Sequence, residues 1–309
     1  MSVVVENVSR NYGDQKALDN VSFEVPAGRI TGFLGPNGAG KSTMMKIITG
    51  YIPATSGRVT IDGIEVGPDN IDLKRRIGYL PENNPLYPDM YVREYLSFVA
   101  SFYLSGADRD SAVSDIIEVT GLAPERRKRI GELSKGYRQR VGLAQALVHN
   151  PDVLILDEAT TGLDPNQIVA IRNLISEAGR QKTVMISTHI MQEVEAICDR
   201  VIIIDRGVVR ADDTKENILK LMNRKSSIVV VEFDGDTDPA LLAAVAGVGG
   251  VMRGRGREYL IESFDGSDIR PALFAFAVAQ SLTVLSLRQQ ENSLEEVFRH
   301  LTGEKISDI

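Results

Sequence analysis

The chain of 309 residues has one cysteine and no tryptophan. A single cysteine excludes an internal disulfide framework and fits a reducing compartment. Cys198 falls in an apolar helical pattern and reads as a small buried hydrophobe rather than a reactive thiol. An excess of basic residues is also missing: 35 Lys and Arg stand against 42 Asp and Glu, a net charge of -7. Phosphate backbones recruit basic faces, so nucleic acid is not an expected partner. Long hydrophobic runs are absent as well. The nearest, residues 271–287, is uncharged but broken by Gln280, Ser281, Thr283 and Ser286, and a helix followed by a strand accounts for it better than a membrane span. The first residues carry no basic stretch followed by an apolar one, so no signal peptide is expected. A cytosolic chain is expected, with any membrane association coming through a partner.

The chain does have an ordinary globular composition, 43% apolar and 25% charged, and a length that favours two domains. Short β-rich runs at residues 3–5 and 21–25 are followed by an apolar strand at 30–34. A helix is expected over 43–49, stopped at Gly50, and mostly helical structure over 90–148 with a break at 121–124. Short apolar runs at 153–156, 184–187 and 201–204 alternate with helical periods at 164–178 and 191–198. This alternation predicts an α/β protein with a parallel sheet. Composition shifts at residues 223–227, a linker in this reading. Beyond it the order strand, helix, strand, strand, helix, strand predicts a small α+β ferredoxin-like module, closed by a short helix at 293–301. The basic run Arg253-Gly254-Arg255-Gly256-Arg257 reads as the turn between two of its strands.

Chemistry concentrates in the first two thirds. Gly35-Pro36-Asn37-Gly38-Ala39-Gly40-Lys41-Ser42 satisfies the pattern G-x-x-x-x-G-K-[ST] between an apolar strand and a helix. Glycines let backbone N–H groups converge on phosphate oxygens, and the helix N-terminus, opening at Thr43, favours anions. Lys41 is placed to neutralise β- and γ-phosphates and the Ser42 hydroxyl to ligate Mg²⁺. Asp157 and Glu158 end the strand at 153–156, the edge of a parallel sheet where ligands bind. Asp157 suits a metal, and Glu158 suits the activation of a water.

With these in place, residues 1 to about 222 resemble the nucleotide-binding subunit of an ATP-binding cassette (ABC) transporter. Leu133-Ser134-Lys135-Gly136-Tyr137-Arg138-Gln139-Arg140 resembles the family's signature motif, usually Leu-Ser-Gly-Gly-Gln. Tyr12 matches the aromatic that stacks on adenine, Gly162-Leu163-Asp164 the D-loop between subunits, and His189 the switch histidine that senses the γ-phosphate. Asp164 precedes Pro165 and is equally suited to cap the helix that follows. The resemblance implies the P-loop NTPase cassette fold: a parallel-sheet core, an N-terminal β subdomain and a helical subdomain at about 84–150, within a domain at 1–222 followed by an accessory domain at 226–309. It implies ATP and Mg²⁺ as ligands, hydrolysis coupled to transport, a homodimer or heterodimer of ATPase subunits, and an integral membrane permease. That would place the chain at the cytoplasmic face of the plasma (inner) membrane. In such a dimer Ser134, Lys135, Gly136, Tyr137 and Asp164 would face the nucleotide of the other copy.

Three departures from the family stand out: in the signature, at the Q-loop position, and at Ala159, which replaces a common proline after Glu158 with little consequence. Lys135 and Tyr137 replace the usual Gly and Gln, and Lys135 either adds charge near the γ-phosphate or faces solvent. Glu82 replaces the Q-loop glutamine; it can ligate Mg²⁺ but cannot donate a hydrogen bond as an amide does, so a metal role and a solvent-facing role both stand, and it is counted with Ser42 and Asp157 as a metal ligand. The segment 85–96, with Leu86, Tyr87, Met90 and Tyr91, suits either a membrane-subunit interface or burial within the helical subdomain. Its loops, and the tail at 293–298, look like the ABC-2-type exporter subgroup and within it most like gliding-motility-associated ATP-binding subunits. Two other classes stand beside the transporter reading. A non-transport ABC ATPase would usually carry two cassettes or a long coiled coil, and neither is seen. A binding-only regulatory switch would not need Lys41, Asp157, Glu158 and His189 together.

Overall fold

The structure is a computed structural model that describes residues 1–218, 228–264, 267–290 and Phe298. Its backbone contacts divide it into two units, Met1–Lys215 and Glu216–Ile309. The first unit opens with β1 (Val3–Tyr12) and β2 (Gln15–Val25), which pair antiparallel and run well past the apolar residues that announce them. Their alternating buried and exposed residues mark a sheet with one face on the core. β3 (Ile30–Leu34) is buried throughout and leads into α1 (Lys41–Ile48). β4 (Ser56–Ile61) and β5 (Ile64–Glu65) complete the first sheet in the order β2-β1-β4-β5.

After the short α2 (Ile71–Lys74) comes β6 (Ile77–Leu80), then the helical part: α3 (Val92–Ala100), α4 (Gly106–Val119) and α5 (Lys135–Leu147). The helical stretch expected over 90–148 is thus broken twice, at 101–105 as well as after Thr120. Its own core comprises Val92, Leu96, Ile117, Leu122, Ile130 and Val141. β7 (Val153–Asp157), α6 (Pro165–Gly179), β8 (Thr183–Thr188), α7 (Met191–Ile197), β9 (Arg200–Asp205) and β10 (Val208–Thr214) finish the unit. The second sheet has the order β10-β9-β3-β8-β7-β6, parallel except for the β9–β10 hairpin. α1 belongs to a core cluster that takes side chains from both sheets: Met44, Met45 and Ile48 are fully buried with Phe23 of the first sheet and Phe33 of the second, whose rings lie 5.4 Å apart.

The second unit contains β11 (Ile228–Phe233), α8 (Pro239–Ala243), β12 (Val248–Arg253), β13 (Glu258–Ser263), α9 (Arg270–Ala279) and β14 (Val284–Gln290). Its antiparallel sheet has the order β12-β13-β11-β14, which is 4-1-3-2 read within the module, the ferredoxin-like arrangement. The basic run is the β12–β13 turn, with Gly256 at φ +63° and Gly254 N–H donating to the Glu258 carbonyl at 2.8 Å. The division between units lies earlier than the expected 222. β10 stays paired to β9 through Thr214, and the Lys215 N–H still donates to the Asp199 carbonyl at 3.2 Å. The expected linker at 223–227 lies outside the described residues, as does the helix at 293–301 apart from Phe298.

Candidate nucleotide site

Three adjacent parallel strands, β3, β8 and β7, end at one level of the sheet: Leu34 pairs with Thr188 and Asp157 with Ser187. Loops leaving these ends surround a cavity of about 650 Å³. Tyr12, Asn37, Gly38, Gly40, Lys41, Ser42, Thr43, Glu82, Glu158 and His189 line it, as the sequence places them. Gly40, at the N-terminus of α1, has φ +105°, and a Cβ there would lie 2.6 Å from the Ala17 carbonyl oxygen. Only glycine fits both the conformation and the space.

Lys41 is buried. Its ammonium donates to the carbonyls of Gly35 at 2.8 Å and Pro36 at 3.2 Å, and stands 3.4 Å from Glu158 Oε1. Glu158 is also bound by His189, whose Nδ1 is 2.9 Å from Oε2, and by the Thr161 hydroxyl at 2.8 Å. Burial pushes its carboxyl up, but the His189 and Thr161 hydrogen bonds and the Lys41 charge outweigh burial and leave it below the ordinary carboxylate range. Glu158 also has φ +52°, a left-handed conformation unusual for a long side chain, held by its N–H donating to the Ser187 carbonyl at 3.1 Å. Asp157 is buried behind the cavity. Burial raises its carboxyl above the ordinary value against hydrogen bonds from the Ser187 and Ser42 hydroxyls. Gly35, Pro36 and Ala39 shape the loop without lining the cavity. Tyr12 is about half exposed, with the Arg10 guanidinium 4.8 Å from its ring centroid.

The signature residues lie elsewhere in the same unit. Ser134 caps α5, accepting from the Tyr137 N–H at 3.4 Å, and the Tyr137 ring sits 5.5 Å from the Arg140 guanidinium. Gly136 is buried with the Gln167 side chain where a Cβ would be. Lys135 has its ammonium against Gly162 of its own chain and lines a second cavity, of about 760 Å³, with Glu82, Glu158 and Thr161. Asp164 does cap α6, accepting from the Gln167 N–H at 2.9 Å with Pro165 in the first helical turn. Among the described residues, none of Ser134, Gly136, Tyr137 and Asp164 lines the cavity that Lys41 lines.

Sequence reasoning missed several residues that line the nucleotide cavity: Gln15, Lys16, Thr161 and Arg206. Thr161 was within reach, three residues past Glu158. Arg206 was not. It sits at φ +49° in the β9–β10 turn, which the fold brings to the loop through the Gly207 N–H donating to the Ala39 carbonyl at 3.0 Å.

Comparisons with known proteins show the family and the fold. A family model described as ABC transporter matches residues 18–161. The linearmycin resistance ATP-binding protein of Bacillus subtilis is 33% identical, covering 98% of this chain and 99% of its own length. The chain belongs to the ABC transporter family, among its ATP-binding proteins. The bacitracin transport ATP-binding protein of Bacillus licheniformis is 33% identical over 98% of both chains, and a Nod factor export ATP-binding protein of Rhizobium meliloti is 34% identical over 100% of this chain and 90% of its own. Among solved structures, an ATP-binding subunit of an ABC transporter superposes with a TM-score of 0.66 at 30% identity, covering 72% of this chain and 93% of that one. An ATP-binding cassette solved as a dimer after hydrolysis, bound to ADP and Pi, gives 0.63 at 28% identity, covering 69% and 98%. This ABC cassette binds and hydrolyses ATP as the ATPase subunit of a transporter. Membership implies dimerisation and a membrane partner. Among the described residues no helix is long and apolar enough to cross a membrane.

Proposed function

We propose that the chain powers an exporter as one of two ATPase subunits, a second copy of itself or a related subunit, closing on two ATP–Mg²⁺ at the cytoplasmic face of the plasma (inner) membrane. The observation that carries the catalytic part is the convergence of Lys41, Glu158 and His189 from the ends of three neighbouring strands. Backbone N–H groups of the segment 37–43 cradle the phosphates, and Lys41 neutralises the β- and γ-oxygens. Tyr12 stacks on adenine. Glu158, ionised at neutral pH, orients the attacking water and accepts its proton, while His189 holds Glu158 and contacts the γ-phosphate. Ser42 and Asp157 hydrogen-bond each other beneath the loop, a pair of oxygen donors that suits a hard cation, and Glu82 lines the same cavity. Mg²⁺ bound there would neutralise charge on the β- and γ-phosphates.

Ser134, Lys135, Gly136, Tyr137 and Asp164 act on the nucleotide of the second copy in this reading. The absence of Ser134, Gly136, Tyr137 and Asp164 from the cavity that Lys41 lines supports it, while Lys135 reaches a neighbouring cavity that Glu158 also lines. ATP shared between two copies would make dimerisation depend on ATP by mass action. The permease docks on an exposed aromatic row in the helical part. Tyr87 lies edge-on to Phe98 at 6.1 Å and Phe98 to Phe102 at 5.1 Å, all three substantially exposed. Export as the direction is supported by relatives named for antibiotic resistance and Nod factor export.

Glu158→Gln is expected to lower ATP turnover by about a hundredfold or more and to leave an ATP-stabilised dimer visible by analytical ultracentrifugation. Lys41→Ala is expected to weaken ATP binding in a direct titration. Wild-type turnover in Glu158→Gln would remove the catalytic assignment. A wild-type protein that binds ATP and never hydrolyses it would favour the binding-only switch.

A further inference from the structure

Glu193 on α7 is 4% exposed and belongs to none of the nucleotide motifs. Its two carboxylate oxygens hold different segments. One accepts from the Thr160 hydroxyl, and the other from the Thr188 hydroxyl at 2.8 Å. Both threonines are almost fully buried. Thr188 is fixed further, since its oxygen accepts the Ile190 N–H at 3.0 Å. The neighbours of these two threonines are the two residues that grip Glu158 beside Lys41. Thr161 follows Thr160 and donates to Glu158 at 2.8 Å; His189 follows Thr188 and meets Glu158 at 2.9 Å.

Each segment therefore presents one side chain inward to Glu193 and the next outward to Glu158. Among the described residues, the side-chain cross-links between the loop after β7 and the end of β8 are Glu193, Glu158 itself and the Ser187 contacts at its base. A buried carboxylate costs free energy unless its hydrogen bonds are satisfied, and here both oxygens are satisfied by the two segments that frame the base. Burial raises the Glu193 carboxyl above its ordinary value; the Thr188 hydrogen bond and the Arg172 charge oppose this, and the Glu158 charge adds to it.

We propose that Glu193 is a positioning residue: it sets the spacing between the Thr160–Thr161 and Thr188–His189 pairs and so aims the Glu158 carboxylate at its water. It touches neither substrate nor the reacting atoms. This rests on the reading of Glu158 as the base, and it deepens that reading by naming what holds the base in place. A misplacement of about 1 Å can cost a catalytic group up to about a hundredfold in rate while leaving phosphate binding at the P-loop alone. The effect belongs in kcat, not in KM.

The test uses the full chain, with steady-state ATP hydrolysis at varied ATP, circular dichroism and thermal melting. Glu193→Gln keeps the shape but cannot accept from both hydroxyls through equal oxygens. It is expected to lower kcat about tenfold or more with KM for ATP within about twofold of wild type. Thr160→Val should lower kcat similarly, and Thr160→Ser, which keeps the hydroxyl, should restore most of it. Equal kcat in Thr160→Val and Thr160→Ser would overturn the proposal, as would a loss of activity that only tracks the folded fraction. If Glu193→Gln does not fold, the Thr160 pair alone decides. The base assignment fails on a different result, full turnover in Glu158→Gln, so the two failures are distinct.

Discussion

At the scale of single residues, the partners a buried group finds decide its chemistry as much as burial does. Asp157 and Glu158 are consecutive carboxylates, yet burial raises the first while His189 and Thr161 hold the second down. The left-handed backbone at Glu158 turns its side chain to the cavity and leaves Asp157 behind it. Cys198, only 4% exposed, has its thiol pushed up to about 12 by burial, as its apolar setting in the sequence suggests. His149 is a third case. Its ring stacks on Tyr103 at 4.0 Å, its Nε2 lies 3.2 Å from the Ile77 carbonyl, and burial lowers its pKa below the ordinary 6.5. The unfolded chain then binds a proton near pH 6.5 that the folded chain refuses. The stability due to neutral His149 is present above that pH and is lost as pH falls from it toward the lower folded value, by at most about 1.4 kcal/mol per pH unit. Urea unfolding between pH 7.5 and 5.5 should show a smaller loss in His149→Gln than in wild type; an equal loss would assign the acid sensitivity to other groups.

At the scale of elements, close approach between β6 and α5 controls how the helical part meets the sheet. Gly78 in β6 has no room for a Cβ, which would strike the Ala146 carbonyl and lie 2.9 Å from the Pro151 ring. Gly78→Ala should therefore cost about 1–3 kcal/mol by overpacking, read from the urea midpoint, and a neutral result would show that α5 shifts freely. Apolar strands β3, β7, β8 and β9 were legible in the sequence because strands buried on both faces are continuous apolar runs. β4, β5 and β10 were not, since strands with exposed residues carry no such run, and β5 and β10 lie at sheet edges. The break at 101–105 was equally hidden: α3 and α4 both carry helical periodicity, and the turn between them depends on their packing against each other.

At the scale of the whole molecule, the two units have separate cores and share no sheet: two sheets lie in the first and one in the second. We propose that they are separate domains. Deleting residues 226–309 should leave a fragment that unfolds cooperatively and binds ATP with an affinity close to that of the full chain. Insoluble or non-cooperative protein would show that the first unit depends on the second. All the residues assigned to nucleotide chemistry lie within the first unit, which is why the fragment is expected to keep its site.

The sequence by itself determined the groups whose geometry is local. The P-loop needs only its glycines, a preceding strand and a following helix, and Asp164-Pro165 needs only its own helix to become a cap. Family membership was legible for the same reason, as a series of short contiguous motifs. What only the tertiary structure decided is how distant segments meet. The order β3-β8-β7 brings Lys41, His189 and Glu158 together, the β9–β10 hairpin delivers Arg206, and Glu193 reaches Thr160 and Thr188 at once. Contacts between parallel strands depend on crossovers tens of residues long, so no local pattern encodes them. The direction of each pKa shift follows from those contacts and from burial, which exist only once the sheet has formed.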